Sequence, residues 1–492
     1  MSHPSPFAAA VDLIPEGILL LGALVCGSLA VVHRRVPAPV YRGLSALTLV
    51  AAAGSSLVYL RGLPTSPSNP GYVAWSEGLV VDRYSIFFVP VLCAFTLMTV
   101  LASAPVAQRI RPHVGEYHAL LLTATLGAVL LASAREMIAF YVALELLSIS
   151  LYILVGISKT EPRSSEAAFK YLVYGAAASA VLLYGLALLY GLTGRTDLVG
   201  VAHGLGSSSA AAALALTLVI AGLTFKLGAV PLHQWVPDVY EGATAPVAGF
   251  IATLSKAAGF AILLRVVVTT FPVARSTWLA VIALAAALSM VLGNVVALAQ
   301  SRMKRLLAYS SIGQAGFILV GVVAYPPDQQ GVAAVLFYLF TYGIVVLGVF
   351  AAVAHVEGSG AGEEIDDYRG LSRRSPIAAA ALAVGMVSLI GIPPTIGFFA
   401  KLFVFEAAVQ AGYAWLVLLA LAMTVVSAAY YLRVLRVMYV DAGDQDAAPL
   451  PWPPRVTLAA IAVGGLAALA LGAAVQPLFA LAGGAAGPLT VR

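Results

Sequence analysis

Apolar residues run through this chain in blocks of about 18–25 positions, separated by short polar stretches and without strict alternation. Crossing a hydrocarbon core about 30 Å thick takes roughly 20 apolar residues as a helix, whereas a strand of a membrane barrel would alternate over about ten. The pattern predicts an all-α membrane protein with fourteen spans, at about 13–32, 40–60, 85–104, 117–134, 137–157, 166–193, 210–231, 246–270, 277–299, 304–325, 331–355, 376–408, 412–438 and 456–482. No soluble domain fits between them.

Composition sharpens this picture. Of 492 residues, 61 % are hydrophobic and 10 % charged, and the mean hydropathy of +0.96 excludes a water-soluble enzyme. The first apolar run has only His3 as a basic group ahead of it and reads as a retained span, not a signal peptide. Cys26 and Cys93 lie inside apolar runs and belong to no CxxC or Cys/His cluster. That pattern speaks against a zinc site, an iron–sulfur cluster and a disulfide framework, so no metal site is expected. The net charge of +5 comes from residues in inter-helix loops, which fits membrane orientation better than nucleic-acid binding. Sixteen Lys and Arg lie on the side reached after the first span and seven on the other, so the first side should be cytoplasmic and both termini should face out. The longest connections run from Arg61 to Tyr84 and from Glu357 to Ser375. The second, EGSGAGEEIDDYRGLSRRS, is expected to be a flexible surface linker. Its GSGAG follows no strand and so carries no nucleotide-loop signal.

Four of the six lysines, Lys170, Lys226, Lys256 and Lys401, fall inside predicted spans, while none of the 21 arginines falls at mid-span. Arginine keeps its charge at any accessible pH, whereas a desolvated lysine is able to release its proton near neutrality. That asymmetry is what a proton conductor requires. Glu145 sits in the middle of the fifth span, where a carboxylate is either part of such a pathway or a pin between helices. In the seventh span, AGLTFKLGAVPLHQW, Lys226 precedes Pro231 by five residues. A helix broken there frees backbone groups that are tolerated only against protein or a hydrated cavity. His233, just past the break, is either a proton feeder to Lys226 or an ordinary hydrogen-bonded histidine. Lys256 stands among Ala, Ser and Gly in the eighth span, a surrounding that suits an internal lysine. Lys170, about a turn into the sixth span, admits both a functional role and simple snorkelling. Glu116, at the start of the fourth span, is a further accessory candidate. The twelfth span repeats the theme of the seventh, with Pro393 and Pro394 followed by Lys401. Two proline-broken spans five apart suggest an internal repeat of spans 4–8 and 9–13, and an odd-numbered unit repeated directly must reverse its orientation.

The segments LELLSISLYILVG, FKLGAVPLHQWVPDVYEGA, LSKAAGFA, SRMKRLLAYSSIGQAGF and GIPPTIGFFAKLFVF resemble the antiporter-like subunits of complex I, which are similar to Mrp-type sodium/proton antiporter subunits. VPDVYEGATAPV, and a lysine at 401 where another branch carries glutamate, resemble the N-type branch. The resemblance implies two inverted five-helix repeats, with proton input at Glu145 and Lys226, relay at Lys256 and hand-over at Lys401. It divides the chain at 1–110 (three helices), 111–272 and 273–440 (the repeats) and 441–492 (a final helix). It places NADH, FMN, iron–sulfur clusters and most of the quinone site on other subunits, with none on this chain. The implied neighbours are the membrane subunits M, L, K, J, A and H in a bacterial cytoplasmic (inner) membrane, and through them the peripheral redox arm. In GATAP at 242–246 this chain has Thr244 where the family pattern leads to proline, which is expected to loosen the turn. The alternative reading is a stand-alone or Mrp-type sodium/proton antiporter. Selective sodium binding would cluster carboxylates and carbonyls at one point, and the mid-span groups here are mainly lysines.

Overall fold

The computed structural model describes residues 13–33, 36–62, 72–74, 78–111, 113–205, 210–270, 275–325, 330–441 and 448–490. Part of the Arg61–Tyr84 connection and the basic residues Arg34, Arg35 and Arg492 lie outside these residues. The first helices are α1 (Ile14–Val32), α2 (Ala38–Gly62), α3 (Arg83–Ala102), α4 (Val114–Ser133), α5 (Met137–Val155), α6 (Pro162–Thr193) and the short α7 (Leu198–Gly204). A hairpin of β1 (Tyr72–Ala74) and β2 (Leu79–Val81) precedes α3. Next come α8 (Ala210–Leu227), α9 (Trp235–Gly242), α10 (Ala245–Phe250), a π turn at Ile251–Ser255, and α11 (Lys256–Thr270). The second half holds α12 (Arg275–Leu298), α13 (Met303–Val323), α14 (Gln330–Gly358), α15 (Leu371–Arg374), α16 (Pro376–Ile390), α17 (Ile396–Gln410), α18 (Ala414–Tyr439), α19 (Arg455–Ala473) and α20 (Val475–Thr490).

Among the described residues, twelve helices are long and apolar enough to cross a membrane, counting Ala245–Thr269 as one. The two remaining predicted spans correspond to α2 and to the broken pair α16 and α17. Spans 4–8 and 9–13 match in plan. In each, the first two members pack side by side (α4 on α5, α12 on α13) and the fourth is broken (α8/α9, α16/α17). The core lies where the halves meet. The span of α10 and α11 is buried along its whole candidate window, and α13 and α14 over 94 % of theirs. Such helices are apolar all round because protein, not lipid, surrounds them.

Ion pairs fasten the ends of the bundle. Asp82 caps α3 through the Ser85 N–H at 2.7 Å and also accepts from Arg265 of α11 at 2.9 and 3.1 Å. Arg265 donates further to the Ala132 carbonyl of α4. At the opposite face Glu357, buried at the end of α14, accepts from Arg109 (2.9 Å), Lys304 (3.3 Å) and the Ala245 N–H at the start of α10 (2.8 Å). Arg109, Arg163, Arg302, Lys304 and Arg305 all pair with acids on this same face. The loops that the sequence assigns to the arginine-rich side therefore converge in space.

Two expectations need correction. The 357–375 connection is folded and packed, because Ile365, Tyr368 and Leu371 are buried, Glu364 and Asp367 form a capping box, and Ile365 N–H donates to the Ser301 carbonyl at 2.7 Å. The last predicted span does not run on to 482. It ends at Ala473, and α20 turns to pack against α3 and α14. Thr244, at the N-cap of α10, has a φ of −62°, the value a proline would hold.

Removing a partner from a buried ion pair strands a charge, a loss of about 3–5 kcal/mol. Asp82→Ala should therefore sharply lower the melting temperature or the yield of the purified protein. A variant with unchanged melting would show that the Asp82–Arg265 pair does not hold α3 to α11.

Candidate functional site

Both helix breaks are made by a glycine, with proline downstream. α8 ends at Leu227 because Gly228 takes the left-handed conformation (φ 66°), and α16 ends at Ile390 because Gly391 does so (φ 90°). Side chains are strongly disfavoured there, which makes glycine the residue that stops each helix. Pro231, Pro393 and Pro394 follow and lack the N–H that continuing the helix would require. The chain thus exposes two sets of unpaired carbonyls inside the membrane, each at the negative end of a half-helix.

Lysines take those carbonyls. Lys256, the first residue after the π turn, donates to the Leu227 carbonyl at 2.7 Å and to the Ser311 carbonyl at 3.1 Å. Lys401, on α17, donates to the Ile390 carbonyl at 2.9 Å and to Thr424 Oγ1 at 3.4 Å, with its ammonium 4.3 Å above the Phe317 ring. The two lysines stand at different places in their repeats yet cap the same feature, the last carbonyl of a half-helix. Lys226, in the final turn of α8, donates to Ser148 Oγ at 3.0 Å. Ser148 is one turn along α5 from Glu145, which accepts from Ser179 Oγ of α6 at 2.5 Å. Ser148, Ser179 and Lys226 line one small recess. Lys226, Lys256 and Lys401 are 4 %, 3 % and 4 % exposed, and among the described residues none has a carboxylate within 4.0 Å. Glu145 and Lys226 accordingly form no direct ion pair, and each bonds a different serine.

Two separate polar groups lie between Lys256 and Lys401. Ser311 Oγ lies 3.2 Å from both the Tyr240 and Tyr342 hydroxyls. One turn along α13, Gln314 accepts from the Tyr338 hydroxyl at 2.5 Å and donates to the Leu389 carbonyl at 3.2 Å, next to the carbonyl that Lys401 takes. Sequence reasoning missed Ser148, Ser179, Ser311, Gln314, Tyr338 and Tyr342. Ser311 and Gln314 carried a readable signal, being polar residues at mid-span in LAYSSIGQAGF. The π turn before Lys256, a feature frequent at functional sites, carried none.

The accessory candidates lie elsewhere. Lys170 turns to the arginine-rich face, where Glu166 (2.7 Å) and Asp238 (2.9 Å) hold it. Glu116 is exposed beside His113 at 3.5 Å, apart from the lysine row. His233 is half-buried in the first break, with Nδ1 unpartnered and no hydrogen bond to Lys226. Among the described residues no group of three or more His, Cys, Asp or Glu could hold a metal.

Two reversed five-span units, each with a broken helix facing buried lysines, define an antiporter-like membrane subunit. Residues 134–427 match the family described as NADH:quinone oxidoreductase/Mrp antiporter, transmembrane. NAD(P)H-quinone oxidoreductase subunit 2 of Synechocystis is 43 % identical over 434 residues, 87 % of this chain and 82 % of that protein. NADH-quinone oxidoreductase subunit N 2 of Symbiobacterium thermophilum is 45 % identical over 388 residues, 76 % of each. In solved structures, a chain of Thermus thermophilus respiratory complex I matches with a TM-score of 0.79 and 34 % identity, over 95 % of this chain and 99 % of that one. A chain of the Mrp complex of Dietzia shares the fold (TM-score 0.85) at 23 % identity, covering 99 % of this chain and 98 % of that one. The chain belongs to the NADH:quinone oxidoreductase/Mrp antiporter transmembrane family.

The charged cluster at the arginine-rich face sets a pH dependence. Burial raises the Asp238 carboxyl, but hydrogen bonds from Lys170 and Arg305 outweigh it and leave the group below its usual value. Glu241 behaves alike, with burial offset by Arg305 and Arg302. Carboxyls lowered on folding stabilise above their unfolded values and lose that contribution as pH falls through the lowered native ones. Amide exchange over 235–242 should therefore stay flat from about pH 8 to 5, once corrected for intrinsic exchange, and rise below about pH 4. A rise centred near neutral pH would contradict this.

Proposed function

We propose that this chain translocates protons as a membrane subunit of a respiratory NADH:quinone oxidoreductase, driven by quinone reduction on other subunits. The observation that carries the reading is the row Glu145, Lys226, Lys256, Lys401, each held by hydroxyls or half-helix carbonyls and, among the described residues, without a carboxylate at any of the three lysines. Each lysine has acceptors that suit an ammonium and a neutral amine alike, so a proton passed along the row leaves no group stranded. Input at Glu145 and Lys226, relay at Lys256 and hand-over at Lys401 follow their order through the core. Lys170 then belongs to the surface, His233 lies beside the break, and Glu116 lies outside the pathway.

In this reading NADH, FMN, the iron–sulfur clusters and most of the quinone site reside on other subunits, and the membrane neighbours are those of complex I, subunits M, L, K, J, A and H. The functional division follows 1–110, 111–272, 273–440 and 441–492, the two middle segments being the reversed repeats. The arginine-rich face lies in the cytoplasm of a bacterium and both termini face outward, because basic loops are retained inside.

Lys256→Arg keeps the charge but can hardly deprotonate, so proton pumping by the assembled complex should collapse, as in Lys256→Ala. Pumping at the wild-type level in the arginine variant would make Lys256 an electrostatic fixture and end the relay reading. Orientation is checked separately in a background lacking Cys26 and Cys93. An impermeant thiol reagent on spheroplasts should label Arg195→Cys and leave Thr160→Cys untouched, and the opposite pattern would invert the topology.

A further inference from the structure

An open vestibule of about 510 Å³ at the arginine-rich face is lined by Arg163, Glu166, Lys170, Asp238, Glu241 and Arg305. One layer deeper lies the Lys226 recess, with Tyr152 and Phe225 in its wall. Between the two stand Tyr171 and Trp235. Tyr171 follows Lys170 on α6, and Trp235 is one turn of α9 from Asp238. Their rings stack at 4.5 Å and 13°. Tyr152 meets Tyr171 edge-on at 4.7 Å, and Phe225 lies 5.3 Å from Trp235. Trp235 Nε1 donates to the Phe225 carbonyl at 3.1 Å, tying α9 to the last turn of α8. All four rings are buried. The Tyr171 hydroxyl and Ser255 Oγ, beside Lys256, are both buried and lie near each other without a well-formed hydrogen bond.

We propose that the Tyr171–Trp235 pair is the barrier between the charged vestibule and the Lys226 recess, and that displacement of α9 opens it to a short file of water. The inference rests on the proton-translocating reading of Lys226. Stacked rings leave no room for water, so the closed state blocks proton exchange with the arginine-rich face. α9 is the element able to move. It is eight residues long, follows the break, and is held by ion pairs: Asp238 to Lys170 and Arg305, and Glu241 to Arg302 and Arg305. Exposed and half-exposed pairs of this kind are individually weak. Arg305 lies on α13, the helix that also carries Ser311 and Gln314. The barrier is thereby attached to the opposite half of the pathway. On opening, the Tyr171 and Ser255 hydroxyls, which form no well-made bond in the closed state, would be bridged by water.

The test uses the whole complex in proteoliposomes, normalised to assembled complex. Trp235→Ala should raise the passive decay of an imposed proton gradient several-fold, and Trp235→Phe, which keeps a ring, much less. Adding Lys226→Ala to Trp235→Ala should return the decay to the wild-type rate. A second readout does not depend on turnover: a cysteine at Ala178, in the wall of the recess, should react slowly with a small water-soluble thiol reagent and much faster once Trp235 is alanine. Unchanged decay together with unchanged labelling overturns the barrier, as does a leak that survives Lys226→Ala. If Lys226→Ala alone pumps like wild type, it is the functional reading that fails, whatever the labelling shows.

Discussion

An ammonium group buried away from water is the constraint around which this structure is arranged. Desolvating an ion costs several kcal/mol, and a half-helix end returns about 0.3–2 kcal/mol to a cation placed on it. The breaks after Leu227 and Ile390 supply that partial compensation to Lys256 and Lys401 without supplying a counter-charge. Where the fold needs a permanent bond it does otherwise. Arg265 has Asp82, and Lys304 and Arg109 have Glu357. Full ion pairs hold the two ends of the bundle, and dipoles hold the lysines of the middle. A lysine held by a dipole is free to change its protonation state, whereas a buried pair is damaged by losing either charge.

The same logic explains the arrangement at Glu145 and Lys226. A direct pair would favour both charges together and resist the loss of either. Ser148 and Ser179 stand there instead, and a hydroxyl both donates and accepts, so the local bonding survives when a proton moves. From Lys256 onward the tyrosine hydroxyls, Ser311 and Gln314 have the same property. The row is thus built of groups that tolerate reversal, enclosed by α11, α13 and α14, the helices with the least contact with lipid.

The two repeats are not equivalent in detail, and the difference is instructive. Their shared element is the glycine-stopped half-helix. The lysine that caps it comes from the following span in the first half and from the second part of the broken helix itself in the second. What is kept between the halves is an interaction, a cation on a freed carbonyl, while the residue that provides it shifts. Meanwhile α9, the segment beyond the first break, is tied by Asp238 and Glu241 to the second half, so the halves are joined at the surface as well as through the core.

The spans, their number, the breaks near 230 and 393 and the burial of Lys226, Lys256 and Lys401 were all legible in the sequence, because hydropathy over twenty residues and a lone charge within it are local signals. So was the common face of the arginine-rich loops. The fold of the 357–375 connection was not, since Ile365, Tyr368 and Leu371 acquire a reason to order only when α18 and the turn at Ser301 offer them a surface. Nor was the turning aside of Lys170, whose partner Asp238 lies 68 residues away. A sequence records which groups are costly to bury. Which carbonyl, hydroxyl or ring meets each of them is decided by helices far apart in the chain, so only the packed tertiary structure could assign Leu227 to Lys256, Ile390 to Lys401 and Tyr171 to Trp235.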